Sequence, residues 1–366
     1  MRKIEISEVK LTGEEIESAV DVLRSGNLRQ SVECEAFERE FASRVGASHA
    51  VTCANGTASL HLAYMSFLKP GDEVLVPSFT FMATGSMVAM SGGRPVFCDI
   101  DPETFLIDLE DAERRITERT RAIAPVHLFG NPVDAEAVGD FAARHNLIVV
   151  WDAAQAHGAF WGKRDVGSYD DFVCYSFYPS KNMFVGEGGM ICTNNAEYDA
   201  KMRLLRSHGE SGKYLHTILG FNYRMTDVEA AIGRRQLLRL DAMLAVRRAN
   251  AEVLTAGLAD VPGIRAQKIG REGLHARHQY CVVIDAEKFG CSRDSLAERL
   301  REQGIGSGVH YPRGLHQQPV FEELYGPLTL PVTEKTAETI LALPVHHGLT
   351  PEDAAAVVAA IKNSCG

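Results

Sequence analysis

Three short stretches of the sequence contain residues that could act chemically on a small molecule. Lys181 lies in SFYPSKNMFVGEGG, Asp152 directly follows the apolar run LIVVW, and Gly56 follows the strand-like run HAVTCAN. A lysine that is kept from water has a lowered pKa, and its neutral amine attacks aldehydes. A buried carboxylate needs a positive partner, and the N–H groups at the start of a helix bind anions. Each residue type therefore has a use in a ligand site.

Each stretch also has an ordinary structural explanation when it is taken alone. Lys181 could lie in a surface loop, Asp152 could cap the following helix, and Gly56 with Thr57 could form a turn and a helix cap. Together they favour a site for pyridoxal 5′-phosphate (PLP), which needs a protonated ring nitrogen, an anchored phosphate and an aldehyde held as an imine. Asp152, the helix start and Lys181 supply these three requirements in turn.

The segments that would position these residues alternate between strand and helix patterns. The strand-like runs are HAVTC, DEVLVP, RPVFCDI, RAIAPVHL and LIVVWD, and helix-like segments separate them. This alternation predicts a mostly parallel sheet flanked by helices. Parallel sheets bind their ligands at the carboxyl ends of the strands, so we expect the loops after Cys53, Val76 and Trp151 to form a site.

The pattern changes in the second half of the chain. The run MTDVEAAIGRRQLLRLDAMLAVRRANAEVLTAGL predicts one long helix or two joined helices. Beyond it, QYCVVIDA predicts a strand, and RDSLAERLREQ, EKTAETILAL and PEDAAAVVAAIKN predict helices. We therefore expect a large domain over residues 1–245 and a smaller α+β domain over residues 246–366.

Composition argues against several classes of protein. The 366 residues carry a net charge of −10, which disfavours non-specific nucleic-acid binding. The eight cysteines are scattered without a CxxC pair, so neither a disulfide framework nor a zinc site is expected. The segment HARH, residues 275–278, offers two histidines but no third metal ligand, and we expect a solvated loop there. No apolar run reaches the ~18 residues that cross a membrane, and we expect a cytoplasmic protein without a bound metal.

The chain resembles the sugar aminotransferases of the DegT/DnrJ/EryC1/StrS family nearly from end to end. The matching motifs, in order, are NGTASLHLA, GDEVLVPSFTFMAT, DAAQAHGA, SFYPSKNMFVGEGG, GFNYRMTDVEAAIGRRQL and ALPVHHGLTPED. Members of this family are PLP enzymes of fold type I. The resemblance implies the α/β PLP-transferase fold, with a large domain built on a mostly parallel sheet and a smaller α+β C-terminal domain.

The resemblance also implies roles for individual residues. Lys181 would be the Schiff-base lysine, which also moves a proton between the substrate carbon and C4′ of the cofactor. Asp152 would pair with the pyridinium nitrogen. The remaining residues implied to contact the cofactor are Gly56 and Thr57 at the phosphate through their N–H groups, Ser176 at the phosphate through its hydroxyl, Gln155 near the ring, and Phe81 stacked on the ring.

The resemblance also implies residues that contact the neighbouring subunit's cofactor or the substrate. Asn222 corresponds to a residue that the family sends to the phosphate of the neighbouring subunit, which implies a homodimer with shared active sites. The residues implied on the substrate side are Arg29, Arg224, Tyr311, Arg313 and His316.

The implied reaction transfers an amino group from L-glutamate or glutamine to a keto-sugar in amino-sugar biosynthesis. The turn VGEGGM favours a nucleotide-linked 4-keto-6-deoxyhexose, while a 3-keto nucleotide sugar and a keto-inositol such as scyllo-inosose stay open. Relatives that are 3-dehydratases of deoxysugars have histidine at the lysine position, so Lys181 disfavours that activity. A non-catalytic regulatory role is a further alternative, although the sequence contains no helix-turn-helix segment and no basic stripe.

Overall fold

The structure, a computed structural model, describes residues 3–365. The helices are α1 (Gly13–Ser25), α2 (Val32–Val45), α3 (Gly56–Met65), α4 (Met82–Met90), α5 (Leu109–Arg114), α6 (Ala135–His145), α7 (Ala196–Arg206), α8 (Asp227–Leu258), α9 (Ala286–Phe289), α10 (Arg293–Glu302), α11 (Pro319–Tyr325), α12 (Pro331–Thr339) and α13 (Pro351–Asn363). The strands are β1 (His49–Cys53), β2 (Glu73–Pro77), β3 (Arg94–Cys98), β4 (Thr120–Ile123), β5 (Ile148–Asp152), β6 (Phe160–Trp161), β7 (Arg164–Asp165), β8 (Phe172–Ser176), β9 (Gly189–Thr193), β10 (Glu210–Gly212), β11 (Leu215–His216), β12 (Ile264–Ala266), β13 (Gly273–Leu274), β14 (Tyr280–Ile284) and β15 (Ile340–Leu343).

A seven-stranded sheet forms the centre of the fold, in the order β1-β9-β8-β5-β4-β2-β3. Strands β3, β2, β4, β5 and β8 pair in parallel, and β9 lies antiparallel between β8 and β1. The expected mostly parallel sheet flanked by helices is confirmed. Because β5 and β8 are parallel neighbours, their carboxyl ends at Asp152 and Ser176 lie at the same edge of the sheet.

A second, smaller sheet has the order β12-β14-β15 and is antiparallel throughout. The long predicted helix is a single helix, α8, whose start is capped by Thr226 and Glu229 in a capping box. Helix α8 contributes to two hydrophobic cores. Leu244 packs in the core of the large sheet, and Ala251 packs in the core of the small sheet. The expected domain division at residue 245 therefore falls inside a continuous helix.

Two segments pack across that expected division. Ile4, near the N-terminus, bridges to Ile305 and lies in the core of the small sheet. Leu315 and Phe321, from the C-terminal part, pack instead in a cluster with residues of the large sheet and its helices. The two cores therefore each draw on both ends of the chain.

One predicted helix differs from the structure in its second half. EKTAETILAL was predicted as a helix throughout, but α12 ends at Thr339 and the four residues Ile340–Leu343 form β15. The prediction was wrong for these four residues because they are fully buried and pair with β14, so backbone pairing inside the core outweighs their helix propensity. Within residues 3–365, no helix is long and apolar enough to cross a membrane, and no three His, Cys, Asp or Glu side chains are grouped as metal ligands.

A buried ion pair ties α2, β1 and α7 together beneath the loop that follows β1. Glu38 and Arg206 are both about one-twentieth exposed, and Arg206 Nη1 donates to Glu38 Oε1 at 2.7 Å. The same carboxylate accepts from the backbone N–H of Thr52 at 2.9 Å and from Arg203 at 2.7 Å. Burial alone would raise the pKa of Glu38, but the charges of Arg206 and Arg203 outweigh it, and the pKa lies below its usual value.

We expect Glu38→Ala to lower the free energy of unfolding by about 3 kcal/mol, because it leaves the Arg206 guanidinium buried without its counter-charge. Urea unfolding monitored by circular dichroism measures the change. The matched control is Glu103→Ala, which removes an exposed partner of Lys268 and should cost no more than ~0.5 kcal/mol. Because the folded-state pKa of Glu38 is lowered, the ionised carboxylate stabilises the fold above the ordinary carboxyl pKa, and this stabilisation is lost in acid. The difference in free energy of unfolding between Glu38→Ala and wild type should therefore become smaller below about pH 4. Equal losses in the two variants would show that the buried pair stabilises the fold no more than an exposed one.

Candidate active site

Asp152, the last residue of β5, provides a carboxylate held by two hydrogen bonds. Thr84 Oγ1, on α4, donates to Asp152 Oδ2 at 2.7 Å, and the backbone N–H of Ala154 donates to Oδ1 at 3.1 Å. Burial raises the pKa of Asp152, while the bonds from Thr84 and Ala154 and the charge of Lys181 oppose that rise. The carboxylate is therefore oriented in advance and needs a positive partner to remain ionised.

Lys181 lies in the loop between β8 and β9, which is fixed by bonds to two other segments. Asn182 Nδ2 donates to the carbonyl of Ala276 at 2.8 Å, and the N–H of Phe184 donates to Gln236 Oε1 at 2.8 Å. Burial lowers the pKa of Lys181 to about 8, against the opposing charge of Asp152. A substantial fraction of the amine is therefore neutral at mildly alkaline pH, as a nucleophile or proton acceptor must be.

The glycines after Lys181 allow the chain to turn back along β8. Gly186 has a φ of 105°, a conformation that other residues rarely adopt. A Cβ added to Gly189 would lie 2.4 Å from the carbonyl oxygen of Asn55. The return strand β9 can therefore close directly against the loop after β1, and this brings that loop to the edge where Lys181 lies.

The first turn of α3 presents backbone donors at the same edge. Asn55 Oδ1 accepts from the N–H of Ala58 at 2.8 Å, and no acceptor within residues 3–365 is paired with the N–H groups of Gly56 and Thr57. A Cβ on Gly56 would lie 2.6 Å from the Cβ of Ser176, so only glycine allows Ser176 to approach this turn so closely. The turn and the Ser176 hydroxyl form a small group of donors suited to a phosphate.

These groups line one cavity of about 530 Å³. Of the residues implied by the family resemblance, those on its wall are Gly56, Thr57, Phe81, Asp152, Gln155, Ser176, Lys181 and Tyr311. Gln155 is fixed between two neighbours: its Oε1 accepts from the N–H of Phe129 at 2.6 Å, and its Nε2 donates to the Tyr311 hydroxyl at 3.1 Å. Phe81 lies on the open side with 58% of its surface exposed, so its ring is free to cover a flat ligand.

Other implied residues lie outside the cavity wall of the single chain. Asn222, Arg29 and Arg313 are exposed, and Arg224 is partly buried. His316 is buried, with Nδ1 at 2.6 Å from Ser78 Oγ and Nε2 at 3.1 Å from Glu334 Oε1. Both of its ring nitrogens are engaged within the chain, and the expected substrate contact of His316 stays a prediction.

The prediction of a solvated loop at residues 275–278 was wrong. His275 is 3% exposed and His278 is 7% exposed, and His278 lies on the cavity wall. Burial, together with the charge of Lys181, holds the pKa of His278 well below its usual value, so the imidazole is neutral. Its Nδ1 has no hydrogen-bond partner in the described part of the chain.

Sequence reasoning also missed Thr84, Tyr178, Glu187 and His310. Thr84 holds Asp152, and the other three line the cavity. Thr84 could have been found, because it is the last residue of the motif SFTFMAT that follows a strand. For His278 the sequence carries no comparable signal, since its placement depends on the packing of distant segments, whereas His310 directly precedes Tyr311, which was expected on the substrate side.

The donor set fits PLP. Lys181 offers an amine that can lose its proton and react with an aldehyde, and Asp152 offers a carboxylate for a protonated ring nitrogen. The N–H groups at the first turn of α3, together with a hydroxyl, suit a phosphate. The absence of a side chain at Gly56 lets the Ser176 hydroxyl lie beside the first turn of α3, so that both can contact one anion.

Comparison with known proteins gives the same assignment over nearly the whole chain. The sequence profile of the DegT/DnrJ/EryC1/StrS aminotransferase family matches residues 9–362. The chain is 41% identical to a GDP-perosamine synthase from Caulobacter vibrioides, over 89% of this chain and 88% of that protein. It is 40% identical to a pleiotropic regulatory protein from Geobacillus stearothermophilus, over 92% of this chain and 91% of that protein.

Solved structures agree with these sequence relatives. DesV of S. venezuelae superposes with a TM-score of 0.95 at 34% identity, covering 99% of this chain and 98% of that one. A Streptococcus pneumoniae protein, with structures described as a PLP form and a PMP form, superposes with a TM-score of 0.93 for each at 26% and 27% identity, covering 99% of this chain and 98% of that one. The fold is therefore that of the PLP-dependent aminotransferases of fold type I.

We expect Thr84→Val to reduce the rate of PLP-dependent amine transfer about tenfold, because Asp152 loses a bond to its ionised form. The loss should be largest at low pH, where the further raised pKa leaves Asp152 protonated. Thr84→Ser, which keeps the hydroxyl, is the matched control and should stay close to wild type. Single-turnover absorbance measurements from pH 6 to pH 9 would test this, and a valine variant with the wild-type pH profile would refute it.

Proposed function

Because the chain belongs to the DegT/DnrJ/EryC1/StrS aminotransferase family, we propose that it transfers an amino group to a nucleotide-linked 4-keto-6-deoxyhexose. It is a PLP-dependent sugar aminotransferase, and we propose L-glutamate or glutamine as the donor. The observation that carries this proposal is the joint placement of Lys181, Asp152 and the first turn of α3 in one cavity. The name of the C. vibrioides relative, a GDP-perosamine synthase, supports a nucleotide-linked sugar as the acceptor.

In this mechanism the residues of the chain bind, orient and move protons. PLP, when bound, accepts the amino group and stabilises negative charge on the adjacent carbon. Asp152 would keep the proton on the ring nitrogen, and Gly56, Thr57 and Ser176 would hold the phosphate. Lys181 would hold the aldehyde carbon between turnovers and then, as a free amine, take and return a proton at Nζ. A pKa of about 8 suits this second task, because the amine is then readily interconverted between its two protonation states near neutral pH.

The cavity needs further cations for this chemistry. Within residues 3–365 no arginine lines it, although a donor dicarboxylate and a nucleotide diphosphate are both strongly anionic. We propose that Arg29, Arg224 and Arg313 serve the substrate side, and that Asn222 reaches the cofactor phosphate of a second copy. The exposure of Asn222, away from the cavity of its own chain, supports such a shared site in a homodimer.

The acceptor has alternatives of the same reaction class, namely a 3-keto nucleotide sugar and a keto-inositol. A regulatory role is a second candidate, favoured by one observation, the name of the G. stearothermophilus relative. The two candidates differ in whether Lys181 reacts.

An absorbance spectrum between roughly 300 and 500 nm distinguishes them, since PLP held by a lysine absorbs in the visible. We expect a visible band in the PLP-loaded protein that moves to shorter wavelength with L-glutamate and returns when a nucleotide-linked 4-keto-6-deoxyhexose is added. Lys181→Ala should lose this response, whereas Lys163→Ala, at an exposed lysine, should keep it. A protein that stays colourless with PLP would support the regulatory role against catalysis.

Mixed dimers test the shared site. Lys181→Ala and Asn222→Ala homodimers should each be impaired, the first in transfer and the second in holding the cofactor. If Asn222 serves the neighbouring subunit, a one-to-one mixture refolded together should recover about a quarter of the wild-type rate, because half of the dimers then contain one intact site. If both residues serve the same chain, mixing should restore nothing.

A further inference from the structure

The segment 275–278, which contains the cavity residue His278, is fixed by side chains that donate hydrogen bonds to its backbone carbonyls. Arg247 Nη1, on α8, lies 3.1 Å from the carbonyl oxygen of Arg277 and 3.3 Å from that of His278. Arg248 Nε donates to the carbonyl of His275 at 3.5 Å. The remaining carbonyl, that of Ala276, accepts from Asn182. Side chains from α8 and from the Lys181 loop thus hold all four carbonyls.

Arg247 is an unusual choice for such a contact. It is 3% exposed, its Nε has no partner among the described residues, and no carboxylate within residues 3–365 forms an ion pair with it. Burial lowers the pKa of Arg247 to about 10. Burying a guanidinium without a counter-charge is costly, so its value to the protein must lie in what the two carbonyl bonds position.

Those bonds act on two groups of the active site. One is Asn182, which follows Lys181 and donates to Ala276 inside the held segment. The other is His278, which is faced by positively charged or basic groups from several elements: Lys181, Arg247, His157 and His310. Asp152 is the nearby carboxylate, and it faces Lys181.

We propose that Arg247 is a positioning residue for the Lys181 site: by holding the carbonyls of Arg277 and His278, it fixes the anchor of the Lys181 loop and keeps the His278 imidazole on the cavity wall. The proposal deepens the proposed function, since it rests on Lys181 as the reacting amine. It gives α8, which spans the two cores, a second connection to the Lys181 loop beside the bond between Gln236 and Phe184.

Hydrogen exchange of the cofactor-free protein, read by mass spectrometry, tests the positioning without any turnover. Arg247→Met should raise exchange about tenfold or more over residues 181–184 and 276–279 and leave β2 and β3 unchanged. Arg248→Met, one residue away and bonded to Gly158 and His275, is the matched control and should leave residues 181–184 as in wild type. An increase spread evenly over the chain would show that Arg247 contributes only to general stability, and the same local pattern in both variants would show that the effect on residues 181–184 is not specific to Arg247.

The pH dependence of the visible band of the PLP-loaded protein gives a second readout. Removing the Arg247 charge should raise the pKa of His278, so the acid transition of the band should move to higher pH in Arg247→Met. Adding His278→Gln to that variant should abolish the shift. An unchanged transition in a folded Arg247→Met protein would overturn the proposal.

Misfolding of the variant and failure of the proposed function can both be distinguished from failure of this proposal. If Arg247→Met does not fold, Arg247→Lys, which keeps the charge on a shorter side chain, decides by the same measurement: raised exchange over residues 181–184 supports the proposal, and wild-type exchange there overturns it. If wild-type protein gives no spectral response to L-glutamate, the proposed function fails, whereas the exchange result in cofactor-free protein still judges the role of Arg247.

Discussion

The structure depends on keeping a carboxylate and an amine together in one cavity, where Asp152 is buried and Lys181 is partly buried. Burial raises the pKa of Asp152 and lowers the pKa of Lys181, and each charge opposes the shift of the other. Each group therefore helps to keep the other in its charged form. The hydrogen bond from Thr84 shifts this balance toward the ionised carboxylate.

The topology of the sheet explains how these groups come together. Asp152 and Ser176 end neighbouring parallel strands, and the first turn of α3 follows a strand two positions further along the sheet. The antiparallel strand β9 lies between β8 and β1, and it can pass so close to Asn55 only because Gly189 has no side chain. The glycines after Lys181 thus serve the shape of the whole edge as well as the turn itself.

Much of this arrangement could be predicted from the sequence, because it follows from local patterns. Apolar strands, helix starts and the motif around Lys181 are contiguous in the chain, and they indicated the sheet and the loops that form the cavity. The prediction of a solvated loop at residues 275–278 was wrong because distant segments cover it, and among them Arg247 and Asn182 bond only to its backbone. Such bonds leave no pattern in the sequence of the segment that they hold. The strand at Ile340–Leu343 was missed for a related reason, since its pairing with β14 is a tertiary contact.

The energetic cost of the site bears on the choice between an enzyme and a regulator. A protein that only bound a ligand could place a glutamine or serine at position 181 and would avoid the burial of an amine. It would also have no need of a guanidinium without a counter-charge at position 247, whose carbonyl bonds fix the loop of that amine. Both costs are understandable if the amine must react in one orientation and in its neutral form. The residues that surround Lys181 are therefore the physical reason for preferring catalysis.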